Sequence, residues 1–335
     1  MKLKLWIGII VSVLLMGWVL SRVNVGLLLE SLGQIKIFPV LIAIICLLST
    51  QMIKAWRWKY LMNSIKPMPT VNLLSPMVIG TMTDMILPAR GGDVVRAFLI
   101  GNKEKVSKMA TLATVVIERI LDLATILIMC LVVLVWIPFS IPPEGQAVFA
   151  KFREIILIVG ILCVLAVAVV VFVTWRGERL QKPLERFLGF LPERLRSRTM
   201  DVVRNFSSGL GSLKSGRDFL MVSLISMFLW SVYALSNFFI LDAFSMYLPF
   251  YSSFILLFFQ VLGVTLPSSP GFIGTYHAAV IAAFALLGVS HEAAVSVALV
   301  MHGAFFIPYI LAGMVFLWME NLSIQSLNTL VSSKS

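Results

Sequence analysis

Two short stretches place charge inside otherwise apolar sequence. The first, LPARGGDVVR (87–96), sets Pro88, Arg90, Gly91, Gly92, Asp93 and Arg96 within ten positions. Proline removes a backbone donor and glycine tolerates dihedrals other residues avoid, so the chain can break here and restart as a half-helix. The amides at the start of such a half-helix carry the positive end of its dipole and can bind an anion. Arg90 and Arg96 add permanent charge in a fork that suits phosphate oxygens. Asp93 can cap the half-helix or orient an arginine. The second stretch, VVIERILDLATIL (115–127), puts Glu118 and Asp122 four apart on one helix face, with Arg119 beside them. Charges at membrane depth are costly and must face a cavity or one another. Two readings stay open: a head-group site with Arg90, Arg96 and Arg119 as anion ligands, or an ion-pair network fastening two helices together.

A milder polar group follows the second break, LPSSPG (266–271): Ser268, Ser269, Gly271, Gly274, Tyr276 and His277. Amides after Gly271 can face a ligand, and His277 is a candidate proton carrier, although a lone histidine also serves simply as a hydrogen-bonding residue. No nucleotide-binding glycine loop, serine-nucleophile elbow, zinc-protease motif or paired-cysteine motif is present, so neither cofactor nor metal is expected. Cys46, Cys130 and Cys163 lie in apolar runs without paired spacing and read as buried small hydrophobes.

These residues sit in a chain of 335 residues, 59% hydrophobic and 13% charged, with several apolar runs of membrane-spanning length. The expected class is an all-α polytopic membrane protein with six full spans, at 5–22, 37–56, 110–137, 154–175, 219–241 and 293–318. Two further apolar regions, 71–101 and 251–288, are broken at LPARGG and LPSSPG and read as re-entrant helical hairpins, since irregular backbone at that depth survives only when shielded. The net charge of +11 does not point to nucleic acid, because basic residues gather in short loops. With both termini inside, twenty basic residues fall inside, Lys54 and Arg57 among them, against four outside. That bias predicts an inner or plasma membrane protein with cytoplasmic termini. The basic segment 176–218 is either an interfacial helix on anionic lipid or a solvated connector.

An internal repeat is expected. At an offset of 179 residues, Leu87, Pro88 and Gly92 fall on Leu266, Pro267 and Gly271, and the flanking spans superpose as well. The topology gives the halves, 1–137 and 154–318, opposite orientations, an inverted repeat with discontinuous helices in corresponding places.

The pieces PARGGDVVRA, ERILDL and PSSPGFIGTYHAA, in that order, resemble the transmembrane region of the lysylphosphatidylglycerol synthases and their stand-alone flippase-like relatives. The first family motif maps onto Pro88, Arg90, Gly92, Asp93 and Arg96, with Asp93 where glutamate is common. The second maps onto Glu118, Arg119 and Asp122. In the third, Pro270, Gly271 and Gly274 match, while His277 stands near the family's usual glutamate. The resemblance implies inverted re-entrant subdomains and lipid movement between leaflets, here without the synthases' cytosolic aminoacyl-transfer domain.

The expected function is therefore a flippase-like transporter of an anionic phospholipid or polyprenyl-phosphate lipid. Its site would comprise Arg90, Gly91, Gly92, Asp93, Arg96, Glu118, Arg119, Asp122, Ser269, Gly271, Gly274, Tyr276 and His277. Two alternatives are a membrane-embedded transferase, with Asp93, Glu118 or Asp122 as general base, and a non-transporting partner of a lipid-modifying enzyme. Besides membrane lipids, the candidate partners are such an enzyme or a second copy of the chain.

Overall fold

The computed structural model describes residues 32–86, 91–136, 153–165, 215–266 and 270–323, together with a few scattered positions. The expected first span, most of the basic segment 176–218, Arg90 and Ser269 lie outside the described residues. The described chain is helical without strands. In order, its helices are α1 (Ile37–Met62), α2 (Thr70–Ile86), α3 (Gly92–Glu104), α4 (Lys108–Trp136), α5 (Gly216–Ala243), α6 (Ser252–Thr265), α7 (Thr275–Leu286) and α8 (His291–Met319), with a short 3-10 turn at Pro270–Phe272. Residues 153–165 are helical too.

Helices α1, α5 and α8 have 26, 28 and 29 residues and are long and apolar enough to cross a membrane. At 1.5 Å per residue each reaches about 40 Å, against a hydrocarbon core of about 30 Å. One face of α1 carries Phe38, Leu41, Ile45, Leu48 and Met52, all exposed and three or four apart. A bare apolar stripe of this kind suits lipid and not water. Local signals set the ends: Ser215 Oγ accepts from the Asp218 amide at the start of α5, and Ser290 Oγ from the Ala293 amide at the start of α8.

The two broken regions form helical hairpins, α2 on α3 and α6 on α7. Helices of 17, 13, 14 and 12 residues extend only about 18–26 Å each, short of a full crossing. In the first hairpin the backbones touch closely: a methyl group on Gly92 would overlap both the Gly80 carbonyl and the Asp84 carboxylate. Only glycine permits that approach. In the second, Gly271 and Gly274 turn the chain with φ of 78° and 92°.

Helices α1 and α5 form the most extensive pair. Exchanging α1 for α5, α2 for α6, α3 for α7 and α4 for α8 turns each major packing pair into another pair that also packs: α1–α2 becomes α5–α6, α3–α4 becomes α7–α8, and α2–α8 becomes α6–α4. The starts of α1 and α5, and the ends of α2 and α6, both fall 179 residues apart. At one rim, Lys103 at the end of α3 pairs with Glu320 just after α8 at 2.6 Å.

Candidate functional site

The charged motifs meet. Helix α4 turns Glu118 and Asp122 toward α1, where Arg57 is fully buried and pairs with both: Nη2 to Glu118 Oε1 at 2.9 Å and Nη1 to Asp122 Oδ1 at 2.5 Å. Arg57 also donates to Ser226 Oγ on α5, and the Trp230 indole donates to Asp122 Oδ1 at 3.1 Å. From α3, Arg96 reaches Glu118 at 3.0 Å and packs its guanidinium over the Trp58 ring, 5.1 Å from the centroid. Asp93, in the first turn of α3, accepts two hydrogen bonds from Arg119, at 2.9 and 2.6 Å.

This network holds three arginines and three carboxylates, formally neutral. Its third arginine is Arg57, which loop counting had placed outside the span. The helix runs on to Met62, so Lys54, Arg57 and Lys59 are helical residues. The signal that finds Arg57 is helical register: Thr50, Arg57 and Leu61 share the buried face of α1. Burying a guanidinium is tolerable because two carboxylates meet its charge and both terminal nitrogens find acceptors, although its Nε has none.

The amide of Gly92, at the start of α3, donates to Asp84 Oδ1 at 2.8 Å. The anion expected at this half-helix is thus supplied by the chain's own carboxylate. In the other half, His277 is buried and its Nδ1 faces the Gly274 amide at 3.5 Å, capping the start of α7. His302 Nε2 bonds the Gly271 carbonyl at 2.7 Å, and its ring lies 4.8 Å from that of His277. Gln260 Nε2 donates to Tyr276 Oη at 3.0 Å.

Beside the network opens a cavity of about 390 Å³, lined by residues of α1, α2, α4, α5, α6, α7, α8 and the turn before α7. Of the residues expected at a site, Arg119, Asp122 and Tyr276 line it. Gly91, Gly92, Asp93, Arg96, Glu118, Gly271, Gly274 and His277 are not among the residues that line it. Lys54 and Asp84, which sequence reasoning did not single out, are on the wall. Lys54 Nζ sits over the Tyr233 ring, 5.4 Å from its centroid. Among the described residues no group of three metal-ligating side chains occurs.

The family model described as the lysylphosphatidylglycerol synthase TM region matches residues 5–313. The chain belongs to that family. It is an integral membrane protein of a family related to lipid metabolism. No curated protein matches the chain. In this member of the lysylphosphatidylglycerol synthase transmembrane family, the Asp93–Arg96 and Glu118–Arg119–Asp122 motifs interlock through two ion pairs, Arg96–Glu118 at 3.0 Å and Arg119–Asp93 at 2.6 Å, while the third motif contributes Phe272 and Tyr276 to the cavity wall.

Proposed function

We propose that the protein moves an anionic phospholipid or lipid-linked phosphate between leaflets, with the head group in the central cavity and the tails in lipid. The observation that carries this reading is the cavity itself: both halves of the chain line it, and Lys54 and Arg119 bring cationic groups to its wall. Asp93 fixes the Arg119 guanidinium, and nearly half of the Arg119 side chain remains exposed. A preset cation loses little freedom when an anion arrives.

The matched packing of the halves and the short paired helices support an inverted repeat with two re-entrant hairpins, the arrangement in which one half rocks against the other. The basic bias supports an inner or plasma membrane location with both termini cytoplasmic.

Leaflet exchange of fluorescent anionic, zwitterionic and polyprenyl-phosphate lipids by purified protein in liposomes tests the proposal. Wild-type protein exchanges an anionic class, and Lys54→Met and Arg119→Gln abolish that exchange while the protein stays folded. Absence of exchange for every lipid, across a range of pH gradients, defeats it.

A further inference from the structure

The cavity wall is chemically divided according to the half that supplies it. Its charged residues, Lys54, Asp84, Arg119 and Asp122, all come from the first half. Its aromatic residues, Trp230, Tyr233, Phe272, Tyr276, Phe305 and Tyr309, all come from the second. Trp230 and Tyr233 adjoin with ring centroids 5.3 Å apart, and Phe305 meets Tyr309 edge-on at 5.4 Å, so the rings of the second wall lie in adjoining pairs.

Set among these rings is a neutral polar group. Asn237 and Gln260 exchange two amide hydrogen bonds, each 3.0 Å long, and both line the cavity. Each amide oxygen uses one lone pair in that exchange and keeps a second. The Tyr276 phenol accepts from Gln260 Nε2 at 3.0 Å, which leaves its proton to donate. Among the described residues, the second wall therefore combines apolar ring surface with amide acceptors and a phenol donor, and carries no charge.

Different ligands use these walls differently. A bare phosphate engages Lys54 and Arg119 and leaves the second wall idle. A hydrocarbon tail covers the rings but also the amide and phenol groups, for which it has no partner, and desolvating them is unfavourable. An amine head group needs a free carboxylate. Asp122 is neutralised by Arg57 and accepts from Trp230 as well, and an amine drawn to Asp84, which accepts from the Gly92 amide, would leave the Asn237–Gln260 pair and the Tyr276 phenol without partners. A sugar ring satisfies the second wall fully. Its C–H faces stack on aromatic rings, and its hydroxyls both donate and accept.

We infer that the head group received here is a glycosyl phosphate, with the phosphate against Lys54 and Arg119 and the sugar against the aromatic residues and the Asn237–Gln260 pair. This inference rests on the cavity being the head-group site. Its volume, about 390 Å³, falls within the usual range of roughly 300–1,000 Å³ for ligand pockets.

Binding and transport are measured separately. In nanodiscs, tryptophan fluorescence is followed while the full-length protein is titrated with glucose 1-phosphate, glycerol 3-phosphate, phosphocholine or inorganic phosphate. Glucose 1-phosphate binds most tightly, by about tenfold, the worth of one or two net hydrogen bonds. Trp230→Phe removes most of the signal, Lys54→Met weakens every phosphate ligand, and Gln260→Leu weakens glucose 1-phosphate selectively. Equal affinity for all four probes, tighter binding of phosphocholine, or no binding overturns the inference, and the wild-type comparison decides this even if a variant fails to fold.

Leaflet exchange then compares polyprenyl glycosyl phosphate with polyprenyl phosphate and phosphatidylglycerol. Fastest exchange of the glycosylated lipid supports the inference and places the sugar on a lipid. Equal exchange of all three overturns the sugar while leaving transport intact. Selective sugar-phosphate binding without exchange of any lipid keeps the sugar site, identifies a soluble sugar phosphate as its source, and defeats the transport reading.

Discussion

Arg57 and Asp122 face each other in a two-pronged contact across α1 and α4, with donor–acceptor distances of 2.5 and 3.2 Å and neither residue more than 7% exposed. The pair is charge-neutral only as a unit. Arg57→Met leaves Asp122 and Glu118 with one cation fewer in a buried setting and destabilises the protein by about 3–5 kcal/mol. Adding Asp122→Asn restores the charge balance. The double variant should therefore lose less than the sum of the single losses, by about 0.5–3 kcal/mol. Thermal unfolding in detergent of the four proteins of this cycle checks it; strict additivity would count against the pairing.

Gly92→Ala should destabilise by about 1–3 kcal/mol, because its methyl group meets the Gly80 carbonyl with no flexible side chain to yield. Gly303, inside α8, has no atom within 4 Å of the corresponding position. Gly303→Ala should be neutral or stabilising by up to about 1 kcal/mol through its helix preference. Opposite signs in melting temperature for the two variants are the expected readout.

These two positions show what sequence could and could not reveal. Apolar runs expose α1, α5 and α8, because a helix of that length needs only continuous hydrophobicity to be visible. The breaks at LPARGG and LPSSPG are legible because proline and glycine act locally. Arg57 is not legible in that way: an arginine near the end of an apolar run obeys the same rule whether it faces headgroups or a buried carboxylate. Its partners Glu118 and Asp122 lie 61 and 65 residues away, and only packing selects them. Likewise, the LPARGG motif announces the helix that starts at Gly92, but the carboxylate that accepts from its amide comes from Asp84, which has no distinctive local signature.

His277 caps α7 and stands outside the cavity wall. His277→Gln should therefore leave the pH profile of leaflet exchange unchanged and cost about 1 kcal/mol of stability as a weakened cap. A profile that flattens between pH 5 and 8 would instead make this histidine the proton carrier.

At the rim, Lys66 hydrogen-bonds Glu104 at 2.7 Å and holds its carboxyl below the ordinary glutamate value. A lowered folded-state pKa contributes stability above the unfolded value and loses it as pH falls through the folded one. The difference in melting temperature between wild type and Lys66→Met should accordingly be present at neutral pH and shrink below the ordinary glutamate range. A gap that stays constant down to pH 3 would exclude this linkage.

The division of ion pairs between the halves makes the molecule mechanically unequal. Arg57, Arg96 and Arg119 bolt α1, α3 and α4 into one block, whereas α6 and α7 are joined by apolar packing and neutral hydrogen bonds such as that from Gln260 to Tyr276. Parting buried opposite charges costs several times more than parting neutral groups. Spontaneous excursions therefore begin in the second hairpin, with the charged block as the stationary frame. Amide exchange should register this as faster deuterium uptake in α6 and α7 than in α3 and the Glu118–Asp122 turn of α4.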